Sequence, residues 1–199
     1  FVSPGISAQD TFLDQGSPVI EMGMIKPFYE WNQSILNIAG KVVNSPDNIR
    51  LLEYSDPFVT ERQFKAARKW LHHFGIDAPK ANIMVSAGAQ NALSVVLISL
   101  FKAGDKIAVD AFTYTNFKGL ANFLHIQLIS VETDGCGMSP DSLLQACRNT
   151  EIKGIYLMPT CSNPTSIFMP AARRQEIAEI ARRFHLLLIE DDIYSFLAP

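Results

Sequence analysis

Between residues 82 and 190, short apolar runs alternate with segments of helical periodicity, and this alternation limits the possible folds more than any other feature of the chain. NIMVS at 82–86, KIAVD at 106–110, IQLISVE at 126–132, GIYLM at 154–158 and LLLIE at 186–190 read as strands. Residues 89–101, 116–124, 139–147 and 171–184 read as helices. Short runs that stay largely apolar fit strands buried on both faces, and strands separated by helices are joined by crossovers that leave them parallel. The expected fold class is therefore α/β, a three-layer αβα arrangement around a mostly parallel sheet. In such sheets ligands sit beyond the carboxyl ends of the strands, so the turns after each strand are where chemistry is to be sought.

Upstream the texture changes. Residues 1–20 mix Gly, Pro, Ser and Asp without periodicity and read as an arm or linker, with one domain expected over 21–199. Residues 28–43 and 60–74 carry helical spacing. In the second of these Phe64, Ala67, Trp70, Leu71 and Phe74 share a face, and Gly75 stops the helix. A net charge of −3, with Lys and Arg scattered, excludes a basic face of the kind that grips nucleic acid. Cys136, Cys147 and Cys161 are odd in number and lack CxxC spacing, so neither a disulfide framework nor a metal site is expected. No apolar run is long enough to span a membrane and the first residues do not read as a signal peptide, so a cytoplasmic location is expected.

Four strand exits carry motifs. SAGAQNAL at 86–93 opens a small Gly-containing turn into a helix, where the N–H groups of Ala89 and Gln90 offer a seat for a phosphate; an ordinary strand-to-helix turn uses the same residues. Tyr114 lies in the polar turn after KIAVD, free to lie flat on a planar ligand or simply to cover the sheet edge. In MPTCSNPTS at 158–166, Asn163 precedes Pro164 and is held extended, with its amide free to donate into the crevice. The last exit is LLLIEDDIYSFL at 186–197. It runs an apolar strand into Glu190, Asp191 and Asp192 and then Tyr194, and a carboxylate in such a place offsets its desolvation by meeting a cation.

In this order and spacing the motifs resemble the fold type I, class I/II family of pyridoxal-phosphate (PLP) aminotransferases, from about Glu21 to the end of the chain. Within that family the resemblance is greatest to the branch holding aminoadipate-type aminotransferases and GntR/MocR-type transcriptional regulators, whose last motif often reads EDD followed by an aromatic. The resemblance implies pyridoxal 5'-phosphate as cofactor, with Ala89 and Gln90 on its phosphate and Tyr114 stacked on its ring. Asn163 and Tyr194 are implied at the phenolic oxygen and Asp191 at the protonated pyridine nitrogen. It further implies that Tyr54, in LEYSDP, reaches the phosphate of a neighbouring subunit in a homodimer. Gly23 and Asn163 are implied beside an amino-acid or 2-oxo-acid substrate. Two departures stand out: Ser166 replaces the glycine of the usual NPTG, and the glycine usual a few residues after Tyr54 is missing from SDPFVTER.

The family's Schiff-base lysine is expected after a further strand, beyond Pro199. None of the nine lysines present sits in such a context, so no catalytic residue is assigned and the chain alone is expected not to transaminate. Two functions follow from the resemblance: an amino-group transferase, or the effector domain of a regulator whose DNA-binding winged helix lies upstream of Phe1. A phospho-acceptor domain using Glu190, Asp191 and Asp192 is disfavoured because the acidic cluster follows the last strand, and a dinucleotide-binding fold because SAGAQ lacks the GxGxxG glycines.

Overall fold

A computed structural model describes residues 29–53 and 60–197. The chain divides into two compact units, Phe1–Thr60 and Glu61–Pro199. In the first, a 3-10 turn at Tyr29–Trp31 leads into α1 (Asn32–Val43), and a second 3-10 stretch follows over Pro46–Leu52. The helix expected over 28–43 is thus present, and SPDN marks its end.

The second unit begins with α2 (Glu61–His72), which Gly75 terminates at φ +70. From there the order is α3 (Ala89–Leu100), β1 (Lys106–Asp110), α4 (Thr115–Phe123), β2 (Gln127–Val131), β3 (Thr133–Asp134), β4 (Gly137–Met138), α5 (Pro140–Asn149), β5 (Gly154–Leu157), α6 (Ala171–Phe184) and β6 (Leu187–Glu190). Strands β2, β1, β5 and β6 form a four-stranded sheet in that order, parallel throughout. The short β3–β4 hairpin stands apart from it. It is pinned by Arg173, whose guanidinium pairs with Asp134 at 3.0 Å and donates to the Met138 carbonyl at 2.9 Å.

Alternation along the strands sends successive residues to opposite faces. Ile107, Val109 and Tyr156 join Leu93 and Leu97 of α3 and Phe117 and Ala121 of α4 in one core. Ala108, Ile155 and Leu157 join Leu143 of α5 and Ile177 and Ala181 of α6 in the other. This is the expected three-layer αβα arrangement. At Gly154 a Cβ would come within 2.7 Å of the Phe101 ring and 3.0 Å of the Leu187 carbonyl, so only glycine lets β5 and β6 close beneath that ring.

One expected strand is not formed. Lys80–Asn82 is a 3-10 turn, and residues 83–86 pair with no strand among the described residues, with Met84 75% exposed. The segment has the apolar content of a strand but no hydrogen-bonded neighbour, and a strand exists only as part of a ladder. β6 is likewise an edge among the described residues, with Leu187 and Leu188 exposed. No helix among the described residues is long and apolar enough to cross a membrane.

Candidate functional site

The strand order reverses between β1 and β5: the chain steps from β1 outward to β2, then crosses back to β5 and on to β6. Ligand crevices of parallel sheets open at the carboxyl ends around such a switch point. β1, β5 and β6 all end here, and so do the candidate residues that follow them.

At the β6 exit the ladder runs one residue past the strand, because the Asp191 N–H donates to the Leu157 carbonyl at 2.8 Å. The period of two then turns Asp191 to the face of Ile189, toward α3 and α4. On that face, one strand over, Tyr156 is the register partner of both Ile189 and Val109. Its hydroxyl donates to Asp191 Oδ2 at 2.8 Å. The Tyr156 ring is fully buried and lies flat on Phe117, with centroids 3.6 Å apart and planes 8° from parallel. Burial pushes the Asp191 carboxyl above the usual range, while the bond from Tyr156 pulls it back down. The Tyr156 phenol is itself pushed far up, first by burial and then by the charge of Asp191.

Asp192 faces another way. Its Oδ1 accepts the Thr160 N–H at 3.1 Å, which ties the β6 exit to the β5 exit. Glu190 is exposed. The three consecutive carboxylates thus have three different environments, and only Asp191 turns into the core.

Tyr114 and Tyr194 both pack half-buried against the core cluster that holds Tyr156. Burial, then the neighbouring Tyr114 and Asp191, raise the Tyr194 phenol. The structure therefore gathers Tyr114, Asp191 and Tyr194 around Tyr156. Ala89 shares with Asp191 the wall of an open cavity of about 380 Å³, whose apolar side is formed by Trp70, Phe74, Leu93 and Val96. Here Gly88 precedes the first residue of α3, at φ +94 with no side-chain cap and nothing within 4 Å of where a Cβ would stand. The first N–H groups of a helix have no partner within it, so this uncapped start leaves the donors of Ala89 and Gln90 available to a ligand.

Asn163 is half-buried after β5 and joined to Pro164 by a cis peptide bond. Its loop is held from α6: Arg174 donates to the Met169 and Pro159 carbonyls and to Thr160 Oγ1, each at 3.0 Å. Ser166 stands at φ +56, a conformation that glycine adopts freely. Gly23 and Tyr54 lie outside the described residues.

Tyr156 and Asp110 were not singled out by motif. A signal for Tyr156 was present nonetheless: a tyrosine inside an otherwise aliphatic buried strand needs a partner for its hydroxyl. Asp110 closes β1 and is 7% exposed, and its Oδ1 has no hydrogen-bond partner among the described residues. Burial alone lifts its pKa to about 6.

A parallel αβα sheet with two half-buried tyrosines and a buried carboxylate at its carboxyl ends, and an uncapped helix start on the same cavity wall as that carboxylate, fits a PLP-dependent transferase type of domain. The chain belongs to the aminotransferase class I and II family, whose profile matches residues 29–199. It is 34% identical to an uncharacterized HTH-type transcriptional regulator of Bacillus subtilis, YdeF, over 99% of its own length and 43% of the regulator's. It is also 29% identical to the mitochondrial kynurenine/alpha-aminoadipate aminotransferase of Bos taurus, over 63% of this chain and 32% of that protein. Among solved structures it resembles the multiple substrate aminotransferase of Thermococcus profundus, with a TM-score of 0.69 and 27% identity, over 80% of this chain and 41% of that one. The chain thus spans less than half the length of these relatives, which include both regulators and aminotransferases, as the motif resemblance implied. Family membership implies pyridoxal 5'-phosphate as the cofactor.

Proposed function

We propose that this chain is the cofactor-holding part of a PLP-dependent aminotransferase that moves an amino group between an amino acid and a 2-oxo acid. The observation that carries the reading is Asp191: a carboxylate buried at a strand exit, oriented by Tyr156, on the side where Tyr114 and Tyr194 gather. When bound, the cofactor supplies an electron sink for the electron pair of the substrate's α-carbon.

The chain's own residues bind and orient. Asp191 meets the pyridine nitrogen and keeps its proton in place, since a buried carboxylate opposite a cation stabilises the charged form of both. Ala89 and Gln90 hold the phosphate by their N–H groups, where the start of α3 adds a favourable dipole. Tyr114 covers the ring, and Asn163 and Tyr194 donate to the phenolic oxygen. Gly23 and Asn163 line the substrate side, and Tyr54 serves the neighbouring subunit of a cytoplasmic homodimer. The domain is taken as residues 21–199, preceded by an arm over 1–20.

One observation favours a second reading, the effector domain of a regulator that contacts DNA through a separate domain. Similarity to the Bacillus subtilis regulator extends over 99% of this chain, whereas the family profile starts only at residue 29. Adding PLP to the full-length protein tests what the two readings share: a visible absorbance band is expected, and its absence would sink both. Turnover with a panel of amino acids and 2-oxo acids, set against binding to DNA upstream of the gene, then separates enzyme from regulator.

A further inference from the structure

Each oxygen of a carboxylate that must hold a ring proton matters, because a carboxylate free to rotate, or to take up a proton itself, does not keep that proton on the nitrogen. Asp191 is 7% exposed, and the side-chain hydrogen bond that fixes it comes from Tyr156. Tyr156 is in turn immobilised. Its backbone lies in the ladder between β1 and β6, its ring is pressed on Phe117, and none of it reaches solvent. The donor is therefore held by two constraints at once, a central strand and a stacked ring. Among the described residues no other ionisable side chain is hydrogen-bonded to Asp191, which also accepts the backbone N–H of Ile193; the neighbouring Asp192 is committed to the Thr160 N–H.

We infer that Tyr156 is a positioning residue for the cofactor chemistry: its hydroxyl holds Oδ2 of Asp191 so that the carboxylate stays ionised and presents its other oxygen to the pyridine nitrogen. The inference rests on the reading that Asp191 meets that nitrogen. Its physical content is a proton balance. A carboxylate that accepts a phenolic hydrogen bond is a weaker base, so the proton it shares with the ring stays on the ring. Without the hydroxyl the carboxylate is desolvated but less stabilised, its basicity rises, and the shared proton moves toward oxygen. A ring nitrogen without its proton is a poorer electron acceptor. The burial that makes Asp191 a sensitive partner thus also makes it dependent on Tyr156.

The experiment uses full-length protein loaded with PLP carrying ¹⁵N in the ring, because the nitrogen chemical shift reports protonation whatever the turnover. Near neutral pH the unaltered protein is expected to show the protonated value. Tyr156→Phe keeps the stacked ring and removes one oxygen. It is expected to move the shift toward the unprotonated value and to weaken cofactor binding roughly tenfold, the scale of one hydrogen bond to a charged group. In an Asp191→Asn background the same change is expected to alter neither reading. An unchanged ¹⁵N shift in Tyr156→Phe, with Asp191→Asn shifting it, would overturn the inference and leave the Asp191 reading standing. An unchanged shift in Asp191→Asn would overturn the Asp191 reading, and this inference with it. Should Tyr156→Phe fail to fold, 3-fluorotyrosine at position 156 keeps the ring and hydroxyl and is a stronger donor. It is then expected to tighten cofactor binding about twofold, and unchanged affinity would overturn the inference.

Discussion

Asp110 and Asp191 close two strands of one sheet, and each is 7% exposed, yet only one has company. Asp191 receives the hydroxyl of Tyr156 at 2.8 Å, whereas Oδ1 of Asp110 has no partner among the described residues. For Asp110 burial acts alone, and the pKa rises to about 6. For Asp191 burial pushes the same way but the phenol opposes it. Equal burial therefore does not mean equal chemistry. A partnered carboxylate can stay charged and serve a cation, while an orphan is held in the fold at a cost that grows as it ionises. By this criterion Asp191 is the carboxylate suited to the proposed cofactor contact, and Asp110 bears the cost of burial without one.

The sharpest test of the contrast is cofactor affinity in the full-length protein. Asp191→Ala is expected to weaken PLP binding by about a hundredfold or more, the scale of breaking one side of a buried charge pair. Asp110→Ala is expected to change it by less than about fivefold, in keeping with a carboxylate whose Oδ1 has no hydrogen-bond partner among the described residues. Fluorescence titration with PLP reads both. Equal losses would break the comparison.

Stability reverses the ranking. The folded-state pKa of Asp110, about 6, lies above its ordinary value of 3.8, so the native state holds the proton more tightly than the unfolded chain. The stability linked to this group is full below the ordinary value, falls as pH rises toward the folded value, and does not return above it. Asp110→Asn is expected to leave stability near pH 3 unchanged and to raise it by about 3 kcal/mol near pH 8. Urea midpoints at the two pH values measure this. A gain of the same size at both would mean that ionisation is not the cause.

Legibility in the sequence followed the same physical line. KIAVD and the helix Ala171–Phe184 were placed residue for residue, because apolar periodicity reports burial directly and burial by neighbours close in the chain completes the element. NIMVS carried the same pattern and yet formed no strand, since its pairing depends on a neighbour that the described residues do not supply. The β3–β4 hairpin escaped notice because two-residue strands have no measurable period. Within EDDIY the motif singled out Asp191 over Asp192, and the ladder bond from the Asp191 N–H to Leu157 explains why the former turns inward. The Tyr156–Asp191 bond and the unpartnered Oδ1 of Asp110 are not legible in the motifs, because each is a contact made, or not made, across strands far apart in sequence.

Asp192 refines the contrast from beside Asp191. Its bond to the Thr160 N–H at 3.1 Å is a single partly buried hydrogen bond to backbone. Asp192→Ala is expected to cost about 1 kcal/mol of stability and to leave cofactor affinity within about threefold. A loss of affinity matching that of Asp191→Ala would show that the two carboxylates act as one unit, and the distinction drawn between their faces would fail.

A third strand end, the loop leaving β5 between the two aspartates, carries a cost of backbone instead of charge. Ser166 occupies φ +56, where a side chain with a Cβ is disfavoured by about 1 kcal/mol or more. Its N–H donates to the Ser162 carbonyl, a bond that glycine keeps. Ser166→Gly removes the steric cost and adds a smaller one, the greater freedom of glycine in the unfolded chain, of about 0.5 kcal/mol or more. The net expectation is a gain of a few tenths up to about 0.5 kcal/mol in urea unfolding of the full-length protein, independent of pH because no charge is involved. A pH-dependent change would tie this loop electrostatically to the aspartates on either side, whereas a loss of stability would mean that the serine hydroxyl has a partner worth more than the backbone cost it imposes.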